Sequence, residues 1–372
     1  MVKIVIHRGS HQIGGCCTEI STGQGRILID FGANLPGVAG PVSDDDLVKK
    51  VLGSVEQPPA AILFTHYHGD HVGLADRSEL AGIPMYIGPV AKEMQRVRAK
   101  WTHKSSEQVD AMRVYTPGKP FSPLDGLSVQ PFYVDHSALD SYMFLITAGS
   151  QRILYTGDFR SHGVQGDSLW RLSDCIASHG GISALITEAT MFGEREKEVS
   201  KLSTEEDLGK RAAALFRQHK YNFVLVSSTN IDTIMQMYHN TLPEQHFVCD
   251  LYQAEMLLTA LRFLQEREAA HARRLGRKPH QRAESQGSAA HPMIRILGPE
   301  TDEWQKIRML GAELESPISV APVMSRDLFG NGFVMLVRKN AHRDKWRTVF
   351  EKCGMLFGLW TDRSFIRCGM GT

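Results

Sequence analysis

Ala61-Ile62-Leu63-Phe64-Thr65-His66-Tyr67-His68-Gly69-Asp70-His71 is the stretch that decides the fold. Its first four residues are apolar, too few for a helix, and bounded by polar residues, which reads as a buried strand. The strand hands its carboxyl end directly to three histidines and an aspartate, all within residues 66–71. In extended backbone, side chains two apart point the same way, so His66 and His68 converge on one point. Gly69 then lets the chain turn. Asp70 and His71, opening the next helix, face a neighbouring point. Imidazole and carboxylate donors suit zinc, with manganese and iron as alternatives. Two ions about 3.5–4 Å apart are the expected result.

A pair of ions needs ligands from elsewhere, and apolar runs deliver them. His136 follows Phe132-Tyr133-Val134-Asp135, and Asp158 follows Ile153-Leu154-Tyr155-Thr156-Gly157. Alone, either reads as a loop residue; beside the first cluster, they complete a ligand set.

At 372 residues the chain is long enough for two domains. Hydrophobic residues at 42% and charged residues at 22% are ordinary for a folded protein and argue against disorder. The formal charge of +1 gives no molecule-wide field, so a nucleic acid or an anionic surface must be met by a local patch. No apolar run reaches the ~18 residues that span a bilayer, and the start is too short for a secretory signal. A cytoplasmic protein with no membrane partner is expected. The six cysteines lack CxxC spacing and read as reduced thiols.

Short apolar runs at 3–7, 26–30, 61–65, 84–88, 128–134, 143–147, 152–156 and 184–187 read as strands, with helical spacing at 89–100. The character changes after Met191. A charged stretch at 194–201 leads to Ser203-Thr204-Glu205-Glu206, a hydroxyl cap ahead of an acidic first turn. Helix 205–218, strand 223–227, helix 231–240, strand 247–250 and a long helix from 254 to 274 follow. That alternation implies a parallel sheet covered by helices. Arg273, Arg274, Arg277, Lys278 and Arg282 cluster at the far end of the last helix. They read as a solvated helix end, with a phosphate-contacting patch as the sharper alternative.

His66 to His71 resembles the HxHxDH motif of the metallo-β-lactamase superfamily. His136 is similar to that family's later histidine, and Asp158 to the aspartate that bridges both metals. Ile27-Leu28-Ile29-Asp30-Phe31-Gly32 resembles its first motif, in which Asp30 would brace the metal loop from behind. The stretches 136–141, 155–163 and 187–190 further resemble the β-CASP group, the RNA- and DNA-processing nucleases that include RNase J and the cleavage-factor endonuclease. Glu188 would be the catalytic acidic residue of that group's motif A. The resemblance implies an α/β fold: an αββα metal-binding sandwich over residues 1–192, then an α/β β-CASP-like cap domain over 193–372. In that group the chain returns to the first domain with a Ser-Gly-His-Ala-like histidine and a last ligand histidine. Neither has a counterpart here; His342 reads as a solvated helix residue, so the end is expected to be truncated or diverged.

The resemblance implies a zinc- or manganese-dependent hydrolase cleaving phosphodiesters of RNA or single-stranded nucleic acid. One ion would take His66, His68, His136 and Asp158, and the second Asp70, His71 and Asp158. Asp70 would orient or deprotonate the attacking water. The alternatives are a hydrolase of a small ester, thioester or lactam, and a non-catalytic nucleic-acid-binding relative. With one protein ligand fewer, the second ion is expected to be held more loosely and the activity to be reduced. Metal counting on the purified protein checks this; two tightly held ions would contradict it.

Overall fold

Each strand of the first half carries an apolar face that needs a partner surface, and two sheets supply one another's. The computed structural model describes residues 1–35, 40–53, 57–163, 165–166, 168–178, 180–190, 204–274, 292–297, 300–323, 325–338 and 366–367. The chain divides into two units, Met1–Val199 and Ser200–Thr372.

In the first unit, β1 (Lys3–Arg8), β2 (Cys17–Thr22), β3 (Gly25–Ile29), β4 (Ala61–Leu63), β5 (Met85–Ile87) and β6 (Arg113–Val114) lie side by side in chain order. The first three pair antiparallel, and β3 to β6 run parallel. The second sheet takes β7 (Phe121–Leu124), β8 (Leu127–Val134), β9 (Ser141–Ala148) and β10 (Gln151–Tyr155), antiparallel, with β11 (Ala184–Ile186) parallel to β10. Ile20, Ile27, Ile29 and Leu63 of the first sheet share one core with Val129, Phe144, Ile146 and Ile153 of the second. Full burial of such side chains stabilises by about 1.5–3 kcal/mol each, which joins the two sheets firmly.

Helices α1 (Asp44–Leu52), α2 (Gly69–Val72), α3 (Pro89–Trp101), α4 (Glu107–Ala111) and α5 (Ser168–Ser178) complete the unit. Leu172 and Ile176 of α5 pack on Val134 and Met143, covering the outer face of the second sheet. Val90, Met94 and Val97 form the buried stripe of α3. The αββα layering expected from the sequence is present. The strands read there recur within a residue or two, whereas β2, β6 and β7 were not anticipated. β2 reads Cys-Thr-Glu-Ile-Ser-Thr, too polar to stand out as an apolar run.

In the second unit, α6 (Glu205–Gln218) starts at Thr204, whose hydroxyl accepts from the Asp207 amide at 3.0 Å. There follow β12 (Tyr221–Leu225), α7 (Ile231–His239), β13 (His246–Cys249), α8 (Leu251–Arg274), β14 (Ile294–Leu297), α9 (Asp302–Ala312), β15 (Val320–Val323), α10 (Ser325–Asn331), β16 (Phe333–Val337) and β17 (Ile366–Arg367). The strands form one parallel sheet ordered β15-β14-β13-β16-β12-β17. All five residues of β16 are buried, as a central parallel strand requires. Arg273 and Arg274 end α8, whereas Arg277, Lys278, Arg282, His342 and the stretch 194–201 lie outside the described residues. Among the described residues no helix is long and apolar enough to cross a membrane. Cys16, Cys17 and Cys249 are free thiols.

One tie positions the site from a distance. Asp140 Oδ2 accepts the amides of Val90 and Ala91 at 2.8 and 2.9 Å, capping α3 from another part of the chain, and Tyr142 donates to its other oxygen. Asp140 is buried with left-handed backbone, φ 69°. Asp140→Ala would strand two amides at a helix start, so a loss of about 1–3 kcal/mol is expected in urea denaturation. An unchanged midpoint would count against the cap.

Candidate metal centre

The site is built where β3 and β4 run out side by side. Immediately after β3, Asp30 takes left-handed backbone, φ 58°, while its amide donates to Leu63 O at 2.8 Å. Its carboxylate, fully buried, accepts from the Thr65 amide at 2.8 Å and from the Thr65 hydroxyl at 3.0 Å. The other oxygen lies 2.9 Å from His71 Nδ1. Asp30 therefore braces both ends of the histidine loop, as the resemblance implied. Backbone ties repeat the pattern: Phe31 N reaches His71 O at 2.8 Å, Ala33 N reaches Gly69 O at 2.9 Å, and Cys16 N reaches Asp70 O at 2.8 Å.

That close approach places the glycine requirement at Gly32 rather than Gly69. A Cβ at Gly32 would overlap the carbonyl oxygen of Asp70, whereas one at Gly69 would meet open space. The expected turn at Gly69 needs no glycine freedom, because the residue simply opens α2.

The four histidine rings gather within a few ångströms. His66 lies 4.8, 4.1 and 4.7 Å, centroid to centroid, from His68, His71 and His136. Thr65 Oγ1 holds His66 Nδ1 at 3.0 Å and Asp30 holds His71 Nδ1, so each ring turns its Nε2 to the centre. His136 Nε2 stands 3.2 Å from His68 Nδ1, and His71 Nε2 stands 3.3 Å from Asp158 Oδ2. Tetrahedral zinc with bonds near 2.0–2.1 Å separates its ligand atoms by roughly 3.3 Å, so both spacings suit a shared ion. His66 Nε2 is buried with no hydrogen-bond partner, and an unsatisfied buried nitrogen costs about 1–3 kcal/mol unless something else meets it. The donor set therefore fits a metal.

Two groups of ligand atoms cluster tightly among the described residues: His66, His68 and His136, and His66, His71 and Asp158. Asp158 also lies 3.9 Å from His136 Nε2, and Asp70 Oδ2 lies 3.9 Å from His71 Nε2, at the edge of the second group. All six expected ligands thus meet at one place. Glu188 bonds beside the loop that carries Asp158: one oxygen accepts the Phe159 amide at 2.8 Å and the other accepts the Thr190 hydroxyl. It holds the loop that carries Asp158.

Electrostatics divide the histidines. Burial, reinforced by neighbouring imidazoles, holds His66 well below the ordinary range. His136 is lowered by burial and by His68. For His71 burial pulls the same way, but Asp158, Cys16 and Asp30 outweigh it and raise it well above that range. Asp158, against the effect of burial, is kept low by His71 and His136. His66 and His136 are thus pushed toward the neutral imidazole, the form that ligates, whereas His71 and Asp158 favour each other's charged forms.

Several supports were not singled out from the sequence. Thr65 and Asp140 make their contacts across 35 and 50 residues of chain, and nothing local marks them. Arg8, buried, donates to Gly15 O at 2.7 Å and to Asp44 Oδ1 at 2.9 Å, and also to Gly32 O. It ties together the loops that flank Asp70. Only Asp135 carried a signal, its place beside His136.

These shifts predict how the metal-free protein responds to pH. His66 and His136, depressed from 6.5, bind fewer protons folded than unfolded, so their contribution fades as pH falls below that value. His71, raised from 6.5, contributes below that value and loses its contribution as pH climbs through its folded pKa. Thermal midpoints in chelator should decline on both sides of near-neutral pH; a profile flat from acid to alkaline conditions would contradict the assignment.

Residues 25–223 match the family described as "Beta-lactamase superfamily domain". Ribonuclease J of Helicobacter pylori (strain ATCC 700392 / 26695) is 25% identical over 199 residues, 51% of this chain and 28% of that protein. The lactamase-like protein nscB of Arthroderma benhamiae is 28% identical over 151 residues, covering 40% of this chain and 29% of its own. The chain thus spans under a third of the length of these two curated relatives. A crystal structure of a protein of unknown function from Enterococcus faecalis V583 superposes with a TM-score of 0.65 at 16% identity, covering 98% of this chain and 87% of that one. The family match covers more than half of the sequence and contains the whole histidine and aspartate cluster; the chain belongs to the beta-lactamase superfamily and has its metallo-β-lactamase fold.

Proposed function

We propose that the chain is a metal-dependent phosphodiesterase of the β-CASP type, acting on RNA or single-stranded nucleic acid, with the second unit as its cap domain. The observation that carries this reading is the six-residue centre of His66, His68, His71, His136, Asp70 and Asp158, with a buried His66 nitrogen that lacks a partner. The similarity to ribonuclease J over 51% of the chain favours a nucleic-acid substrate. Similarity to a lactamase-like protein supports the second reading, hydrolysis of a small ester, thioester or lactam.

Zinc or manganese bound here would supply Lewis acidity and a water acidified toward neutral pH. The chain's own residues do the rest. His66 and His136 are pushed toward their neutral form, so the centre can assemble without first losing protons at those two rings. Asp70, with 16% of its side chain exposed at the open edge, orients the attacking water and accepts its proton. Asp158 joins the two groups, and Glu188, through the Phe159 amide, fixes where Asp158 stands. Glu188 thus serves in this reading as a positioning residue rather than one that touches substrate.

Labelled single-stranded RNA incubated with the protein and zinc or manganese should be cleaved. The double variant Asp70→Ala/His71→Ala should lose at least about 100-fold in rate, as removal of a proton acceptor and a ligand implies. No metal-dependent cleavage of RNA or DNA would sink the nuclease reading, and turnover of a lactone or thioester instead would favour the second.

A further inference from the structure

We infer that Asp135 is a positioning residue that locks the His136 and Asp158 loops together in ligating geometry. The two ligands come from different strand ends: His136 follows β8 and Asp158 follows β10. Both strands pair with β9, lying on either side of it, so the sheet alone leaves their projecting loops unconnected. Asp135 makes the connection. Its carbonyl accepts the Arg160 amide at 2.8 Å, and its carboxylate Oδ2 accepts the Gly163 amide at 2.6 Å. Arg160 Nε stands 3.6 Å from the same oxygen, an attraction that tightens the wrap. Residues 160–163 thus fold around a single side chain placed directly before His136.

The fit leaves no slack. A Cβ on Gly163 would overlap both Asp135 carboxylate oxygens and the Arg160 guanidinium. The Asp135 side chain is 1% exposed and directed at this loop, so it cannot touch a substrate. Its action must pass through the residues it holds. Glu188 restrains the same loop at Phe159, one residue beyond Asp158, and Asp135 restrains it at 160 and 163. Asp158 is thereby held from both sides. The 3.9 Å separation of His136 Nε2 and Asp158 Oδ2 spans the two loops and is the distance this grip sets. The inference rests on the metal-centre reading and is independent of whether the substrate is a nucleic acid.

The experiment compares the full-length chain with Asp135→Ala, Asp135→Asn and Gly163→Ala. Zinc affinity is measured by competition with a chromophoric chelator, the visible spectrum is recorded after cobalt loading, and circular dichroism checks folding. Asp135→Ala should weaken zinc about 10- to 100-fold and alter the cobalt spectrum, as loss of a partner behind a ligand does. Asp135→Asn keeps an acceptor for the Gly163 amide and should recover most of both. Gly163→Ala should act in the direction of Asp135→Ala through collision. A folded Asp135→Ala protein with unaltered zinc affinity and cobalt spectrum would overturn the inference. If that variant does not fold, a folded Gly163→Ala protein with unaltered affinity would do the same. Because no reading depends on turnover, failure of RNA cleavage would leave this result standing on its own.

Discussion

A buried carboxylate is among the most expensive groups to enclose, and Asp30 is enclosed completely in left-handed backbone. It is tolerated because every direction it faces is answered: the Thr65 amide and hydroxyl on one oxygen, His71 on the other. Those partners are the first and last residues of the histidine loop. The cost of burial is offset by hydrogen bonds that also decide the loop's shape, so the loop and the sheet end stand or fall together. Turning His71 Nδ1 toward Asp30 leaves its Nε2 for the centre, and the Thr65 hydroxyl does the same for His66. Ring orientation, which decides whether four histidines can share ions, follows from one aspartate and one threonine.

The remaining supports act on the other side of the centre by the same logic. His136 is bounded by Asp135, which grips residues 160–163, and by Asp140, which caps α3. Asp158 is bounded by Glu188 on one side and Asp135 on the other. Asp30, Asp135 and Asp140, which hold the loops rather than join the cluster, are its buried carboxylates. Crowding then divides the rings electrostatically. Burial, reinforced by the packed imidazoles, pushes His66 away from its charged form, whereas Asp158, Cys16 and Asp30 push His71 toward it against burial.

Much of this was legible in the chain because the period-2 geometry of a strand is local. An apolar run ending in His66 and His68 requires both rings on one side, and the same argument located His136 and Asp158 at strand ends. The strand and helix alternation from Glu205 onward likewise implied a parallel sheet. Polar strands such as β2 and the glycine at 32 were not legible. Their reasons are the neighbours they meet: β2 gains its place by pairing with β1 and β3, and Gly32 is needed only because Asp70 lies against it.

By itself, then, the sequence determined which residue types converge and on which side of each strand they emerge, since backbone periodicity is a property of neighbouring residues. Only the tertiary structure decided which nitrogen His66 and His71 present, which way burial and neighbours push His66, His71 and His136, and that Glu188 and Asp135 hold the loop that follows Asp158. Those outcomes depend on hydrogen bonds between residues tens of positions apart, and on burial, which exists only once the two sheets have closed on each other.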